Sequence, residues 1–184
     1  FKFNGWGEKY NHSRDNSINI QLREQGIISK LEHKYNHFIL EGGSIDSNGK
    51  GTILTTSKCL LNKNRNPNLS KKEIEKTLRE SLGIKKTLWL NNGSISGDDT
   101  NSHIDTLARF CDEKILVYSI NNSIELKSME KELKIIAQEN QYDLIPIELP
   151  KPVFYKNREL PASYVNFLIT NQKIMSTLKS IITI

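Results

Sequence analysis

The chain has 184 residues, 36% hydrophobic and 26% charged, with a formal net charge of +5 and a pI of about 9.1. That is ordinary usage for one globular domain and excludes a low-complexity or disordered chain. No apolar run reaches the ~18 residues of a spanning helix, and two cysteines are too few for a disulfide scaffold, so a reducing cytoplasm without membrane contact is expected.

The chain opens at Phe1 without an initiator methionine, so the natural N-terminus is expected upstream. Phe1-Lys2-Phe3-Asn4-Gly5-Trp6-Gly7 alternates bulky and small residues and predicts a strand end feeding a glycine turn. Asp15 is predicted to start a helix that stops near Gly26, with Ile18 and Leu22 four residues apart. Phe38-Ile39-Leu40 and Gly51 to Thr56 read as strands, and Asn48-Gly49 between them is a turn signal.

Ser70 and Glu73 have the spacing of a capping box, and Ile74, Leu78 and Leu82 then line one helix face until Gly83. Thr87 to Leu90 is the following strand. The order recurs: strands at Leu107 to Phe110 and Ile115 to Ser119, a helix marked by Leu126, Met129, Leu133, Ile136 and Ala137, and a strand at Leu144 to Ile147. A third start lies at Tyr164 to Ile169. Two ββαβ patterns roughly 60 residues apart fit either a structural repeat or one α/β domain whose spacing recurs by chance. Ser176 to Ile184 is apolar and β-prone without a cap, the pattern of a broken end.

Basic residues such as Lys71, Lys72, Lys76, Lys85 and Lys86 interleave with acids, which marks solvated helix faces, so no nucleic-acid partner is expected. Glu41 stands at a strand end before Gly42-Gly43 and reads as a site carboxylate or an exposed turn residue. Gly97 to Asp105 holds three aspartates and His103. An extended His103-x-Asp105 would turn both side chains one way, as acid–base chemistry needs; the other reading is a loop of turn-forming residues. His33 and His37 are four apart but lack the glutamate of a zinc helix, so no metal is expected. Cys59 and Cys111 lack a neighbour that would lower a thiol pKa. Both are expected to be buried, away from His103 and not nucleophilic.

Five stretches, in order, resemble one family. They are Phe3-Asn4-Gly5-Trp6-Gly7, Leu40-Glu41-Gly42-Gly43-Ser44, Cys59 through Pro67, Gly97-Asp98-Asp99-Thr100 leading into His103-Ile104-Asp105, and Pro161 through Phe167. The chain is similar, from Phe3 to about Gln172, to the agmatine deiminase and Porphyromonas-type peptidylarginine deiminase family of guanidine-modifying hydrolases. The resemblance implies an α/β, pentein-like fold: a five-bladed propeller of pseudo-fivefold ββαβ units, of which residues 1–184 would be an incomplete catalytic domain.

The resemblance also implies conversion of agmatine to N-carbamoylputrescine and ammonia, in putrescine biosynthesis, through a cysteine-bound intermediate; peptidylarginine or arginine deimination, or a non-catalytic fragment, are the alternatives. His103 would be general acid and base. Asp105 and Glu41 would bind the guanidinium, and Glu41 would also orient His103. No metal or organic cofactor is implied, and a homo-oligomer is compatible with the family. The family's upstream Trp-x-Arg-Asp-like stretch and its downstream cysteine stretch have no match, so this chain is expected to lack the nucleophile. Asn101-Ser102 departs from the commoner Asp-Gly.

Overall fold

The computed structural model describes residues 1–28 and 37–170 together with the backbone of 174–176 and 181–182. His33, and so its pairing with His37, lies outside the described residues.

The architecture is mixed α/β. The N-terminal segment joins the later chain through one β-bridge, Lys2 to Ile39, and through side-chain bonds such as Asn4 Nδ2 to the Asn64 carbonyl and Tyr10 to Asp99, and it coils through a helical turn α1 (Gly5–Glu8). Trp6 sits there at φ 55 and Gly7 at φ 87, with the Asn4 side chain accepting from the Gly7 N–H at 2.9 Å. The predicted strand end is thus one bridge and a left-handed turn. Helix α2 (Ser13–Glu24) begins two residues before Asp15, which lies in its first turn, and buries none of its residues.

Two units follow with one topology. In the first, β1 (Ile45–Ser47) pairs antiparallel with β2 (Thr52–Thr56), and β2 pairs parallel with β3 (Lys86–Leu90). A single turn α3 (Ser57–Leu60) and helix α4 (Lys71–Leu82) make the crossover that parallel strands require. In the second, β4 (Ala108–Phe110) pairs antiparallel with β5 (Ile115–Ile120), which pairs parallel with β6 (Asp143–Glu148) across helix α5 (Ile124–Asn140). The ββαβ repeat is therefore present in the backbone.

One strand is misplaced in the sequence reading. Phe38 to Leu40 supplies the Ile39 bridge and a buried Phe38, not the hairpin partner of β2. That partner is Ile45-Asp46-Ser47, with Ser47 opposite Ile53 and the Asn48 N–H donating to the Thr52 carbonyl, so the loop holds Gly49, Lys50 and Gly51. Asn48 Oδ1 accepts from Lys50 and Thr52 N–H groups, and Gly49 takes φ 70. The remaining strands are short: β7 (Val153–Tyr155) with β8 (Arg158–Leu160), then β9 (Phe167–Ile169), β10 (Ile174–Ser176) and β11 (Ile181–Ile182) in one antiparallel sheet. Of the apolar tail from Ser176, only Ser176 and the backbone of β11 belong to the described residues.

Alternation along β2 splits the core. Ile53 joins Phe38, Leu60, Ile74 and Leu78 beneath α4, whereas Leu54 points the other way into a cluster with Leu88, Leu90, Leu116, Leu126 and Met129. The second cluster draws on both units, so α5 serves as core for the first sheet as well as its own. Among the described residues no helix is long and apolar enough to cross a membrane.

Candidate active site

Glu41 and His103 hold equivalent places. Each is the extended residue that caps a short 3-10 turn, Gly42–Ser44 and Ile104–Thr106 respectively, leading into the first strand of its unit. The two turns face each other. A Cβ on Gly43 would lie 2.5 Å from Asp105 Oδ2 and 2.7 Å from His103 Nδ1, so only glycine permits the approach. Glu41, His103 and Asp105 thereby come together, as the sequence suggested.

His103 and Glu41 are 5% and 6% exposed, and His103 Nε2 stands 3.7 Å from Glu41 Oε2. That is beyond a hydrogen bond, and Nε2 is a buried atom without a partner. Asp105 Oδ1 is the second such atom; Oδ2 receives only a long 3.4 Å contact from Asn166 Nδ2. Burial pushes the Asp105 carboxyl up, although the His103 and Arg109 charges pull it down. Burial acts in the same sense on Glu41, but the nearby His103 together with the hydrogen bonds and charge of Arg65 outweighs it and holds Glu41 below its ordinary range.

The loop that aims His103 is built by Asp98. Its Oδ1 accepts from Thr100 N–H at 3.0 Å and its Oδ2 from Ser102 N–H at 2.6 Å. Asn101 and Ser102 consequently adopt φ 66 and 65, a left-handed pair in which glycine or asparagine is favoured. Thr56 Oγ1 fastens the loop to β2 through the Ser102 carbonyl, at 2.7 Å.

Arg65 was not singled out from the sequence. Its Nε donates to both Glu41 oxygens at 3.0 and 2.9 Å, Nη1 to Asn64 and Asn101 Oδ1 at 3.0 and 2.9 Å, and Nη2 to the Thr100 carbonyl at 2.7 Å. One arginine between two asparagines carried no signal, because its partners come from distant segments.

Cys59 corrects an expectation. It is fully buried as foreseen, yet it lies beside His103: ligand atoms of Glu41, Cys59 and His103 all fall within 4.8 Å of one another. Its position beneath Thr56, at the turn α3, is set by the fold. Burial pushes its thiol up to about 12, so it is protonated at neutral pH. Carboxylate, thiol and imidazole could in principle ligate a soft cation, but the thiol holds its proton and Arg65 already places a positive charge on Glu41. Cys111 is half-buried at the end of β4.

The cleft above these groups has a volume of about 570 Å³. Phe3, Trp6 and Leu40 form an apolar wall, Glu41, Asp98, His103 and Asp105 the polar floor, and Pro161 and Asn166 the rim. Its lining among the described residues includes three carboxylates and no lysine or arginine.

The model of the Porphyromonas-type peptidyl-arginine deiminase family matches residues 1–178. The chain belongs to this family. It is similar to the agmatine deiminase of Medicago truncatula, at 31% identity over 95% of this chain and 54% of that one. Among solved structures, a cysteine-to-serine variant of C. jejuni agmatine deiminase with substrate bound is 43% identical with a TM-score of 0.86, over 95% of this chain and 52% of that one. An agmatine deiminase of Enterococcus faecalis is 29% identical with a TM-score of 0.79, over 94% and 55%. The chain thus spans about half the length of the relatives it matches. The mixed α/β fold is that of these agmatine deiminases, and their names mark the family as guanidine-modifying hydrolases.

Proposed function

We propose that this chain is the acid–base half of an agmatine deiminase, which converts agmatine to N-carbamoylputrescine and ammonia. The observation that carries the reading is the pair of buried, unpartnered atoms, His103 Nε2 and Asp105 Oδ1, in one acidic cleft. A guanidinium is planar and always cationic, and it offers N–H donors to such a carboxylate.

In the proposed sequence a cysteine thiolate attacks the guanidinium carbon and forms a C–S bond. A C–N bond then breaks, and His103 gives its proton to the leaving ammonia. A water molecule next adds to the carbon while His103 takes its proton, and the thiolate departs to leave the urea product. Asp105 holds the cation throughout. Glu41 is directed chiefly to His103, since both of its oxygens already accept from Arg65.

The nucleophile is proposed to lie outside these 184 residues, because the Cys59 thiol is buried and protonated and does not line the cleft. The two units are likewise proposed to belong to a five-unit propeller closed by further chain. Agmatine is favoured over arginine by the three carboxylates of the lining, which suit a dication and repel an α-carboxylate; peptidylarginine remains the second reading, since it lacks that charge.

The test is ammonia release from agmatine. The 184-residue chain alone is expected to release none, since loss of a covalent nucleophile costs a factor of roughly 10⁶. A version extended through the family's cysteine stretch is expected to turn over, with arginine a poorer substrate. Turnover by the short chain that alkylation of Cys59 abolishes would make Cys59 the nucleophile and overturn the assignment.

A further inference from the structure

We infer that Arg65 is a positioning residue: it occupies one lone pair on each oxygen of Glu41, ties the loop carrying His103 to it, and so reserves the substrate's guanidinium for Asp105. The inference rests on the proposed deiminase reading for its ligand, but not for its geometry. Arg65 already lays a guanidinium against Glu41, as a substrate would. Its side chain is 0% exposed and that of Glu41 4%, so no ligand can take its place without opening the core.

The remaining donors reach Asn64, Asn101 and the Thr100 carbonyl, three acceptors on two segments. Asn101, itself an anchor, and Ser102 are both left-handed and link Thr100 to His103. A lysine could supply the charge but not this fork, because an ammonium lacks planar, two-edged donors.

The groups that face Glu41 are Arg65, His103 and Cys59. Arg65 keeps the glutamate ionised against the pull of burial, so Glu41 is available to stabilise an imidazolium and does not compete with His103 for the proton. Division of labour follows. Glu41 serves proton transfer, and Asp105, whose Oδ1 is unpartnered, serves substrate binding.

The experiment uses the 184-residue chain with ¹³C-labelled glutamate carboxyls, titrated by NMR, alongside calorimetric binding of agmatine. Arg65→Met is expected to move the Glu41 midpoint upward by about one pH unit or more in a chain that remains folded by circular dichroism. Glu41→Gln should change agmatine affinity by less than about threefold, whereas Asp105→Asn should weaken it by about tenfold or more. A folded Arg65→Met chain with an unmoved Glu41 overturns the inference. So does a Glu41→Gln chain that loses as much affinity as Asp105→Asn, and that comparison still decides the matter if Arg65→Met does not fold. Should the unmodified chain bind no agmatine, the deiminase ligand is wrong, while the Glu41 titration continues to judge Arg65.

Discussion

At the scale of single residues, Asp105 sets function against stability. Its carboxyl is raised above the ordinary 3.8 by burial, so the folded state resists its ionisation. The unfolded chain releases that proton more readily, and folding stability therefore falls as pH rises through 3.8 towards the folded value. Asp105→Asn is expected to raise the urea midpoint at pH 7, with the gain shrinking to nothing below about pH 3.8, while agmatine binding weakens by ~1.5–3 kcal/mol. Ser102 offers a second case. A left-handed non-glycine residue is strained by ~1–2 kcal/mol, and glycine's extra unfolded freedom returns about 0.4–1 of that. Ser102→Gly should stabilise the chain by about 0.5–1 kcal/mol in urea melts, since its backbone bonds to Asp98 and Thr56 survive. Glycines and local spacing made Glu41, His103 and Asp105 candidates only, with a plain turn as the rival reading of each, and their proposed roles came from the family resemblance. Arg65 and Cys59 were not readable: Arg65 is placed by contacts 24 to 36 residues away and Cys59 by burial, which no short window contains.

At the scale of elements, helices with local instructions are where the sequence puts them. Ser70 and Glu73 form the capping box in full, Gly83 takes φ 69, and Ile74 and Leu78 are buried on the predicted face, although Leu82 at the last turn is 41% exposed. Ser70→Ala is expected to cost about 1 kcal/mol in thermal or urea unfolding, from one lost cap in an exposed setting. Strand β1 was hidden because Asp46 breaks the apolar pattern. That aspartate is buried to receive Arg109 Nε at 2.8 Å and Phe110 N–H at 2.6 Å, a purpose visible only once β4 lies beside it. The β7–β8 hairpin escaped notice for a related reason. Its turn is Lys156-Asn157 at φ 48 and 61, a left-handed pair made without the glycine that usually announces it.

At the scale of the whole molecule, the two units are joined by shared core and by charge. Met129 on α5 is fully buried in the cluster that also takes Leu54, Leu88 and Leu90 from the first sheet. Met129→Ala is expected to cost ~2–5 kcal/mol, and both units should unfold in one transition when followed by tryptophan fluorescence and circular dichroism together. Separate transitions by the two probes would show that the shared cluster does not couple the units. Arg109 extends the join, reaching from Asp46 in the first unit to the Phe167 carbonyl and ring at the start of β9.

The equivalent placement of Glu41 and His103 has a meaning for descent. Copying such a unit copies an address, the residue just before the 3-10 turn, whose side chain is delivered to the same point in space whatever it is. A carboxylate written at one address and an imidazole at the next yield complementary chemistry without altering a single strand pairing. Divergence between the copies could then fall on one letter each, and the scaffold that aims them would be inherited ready-made.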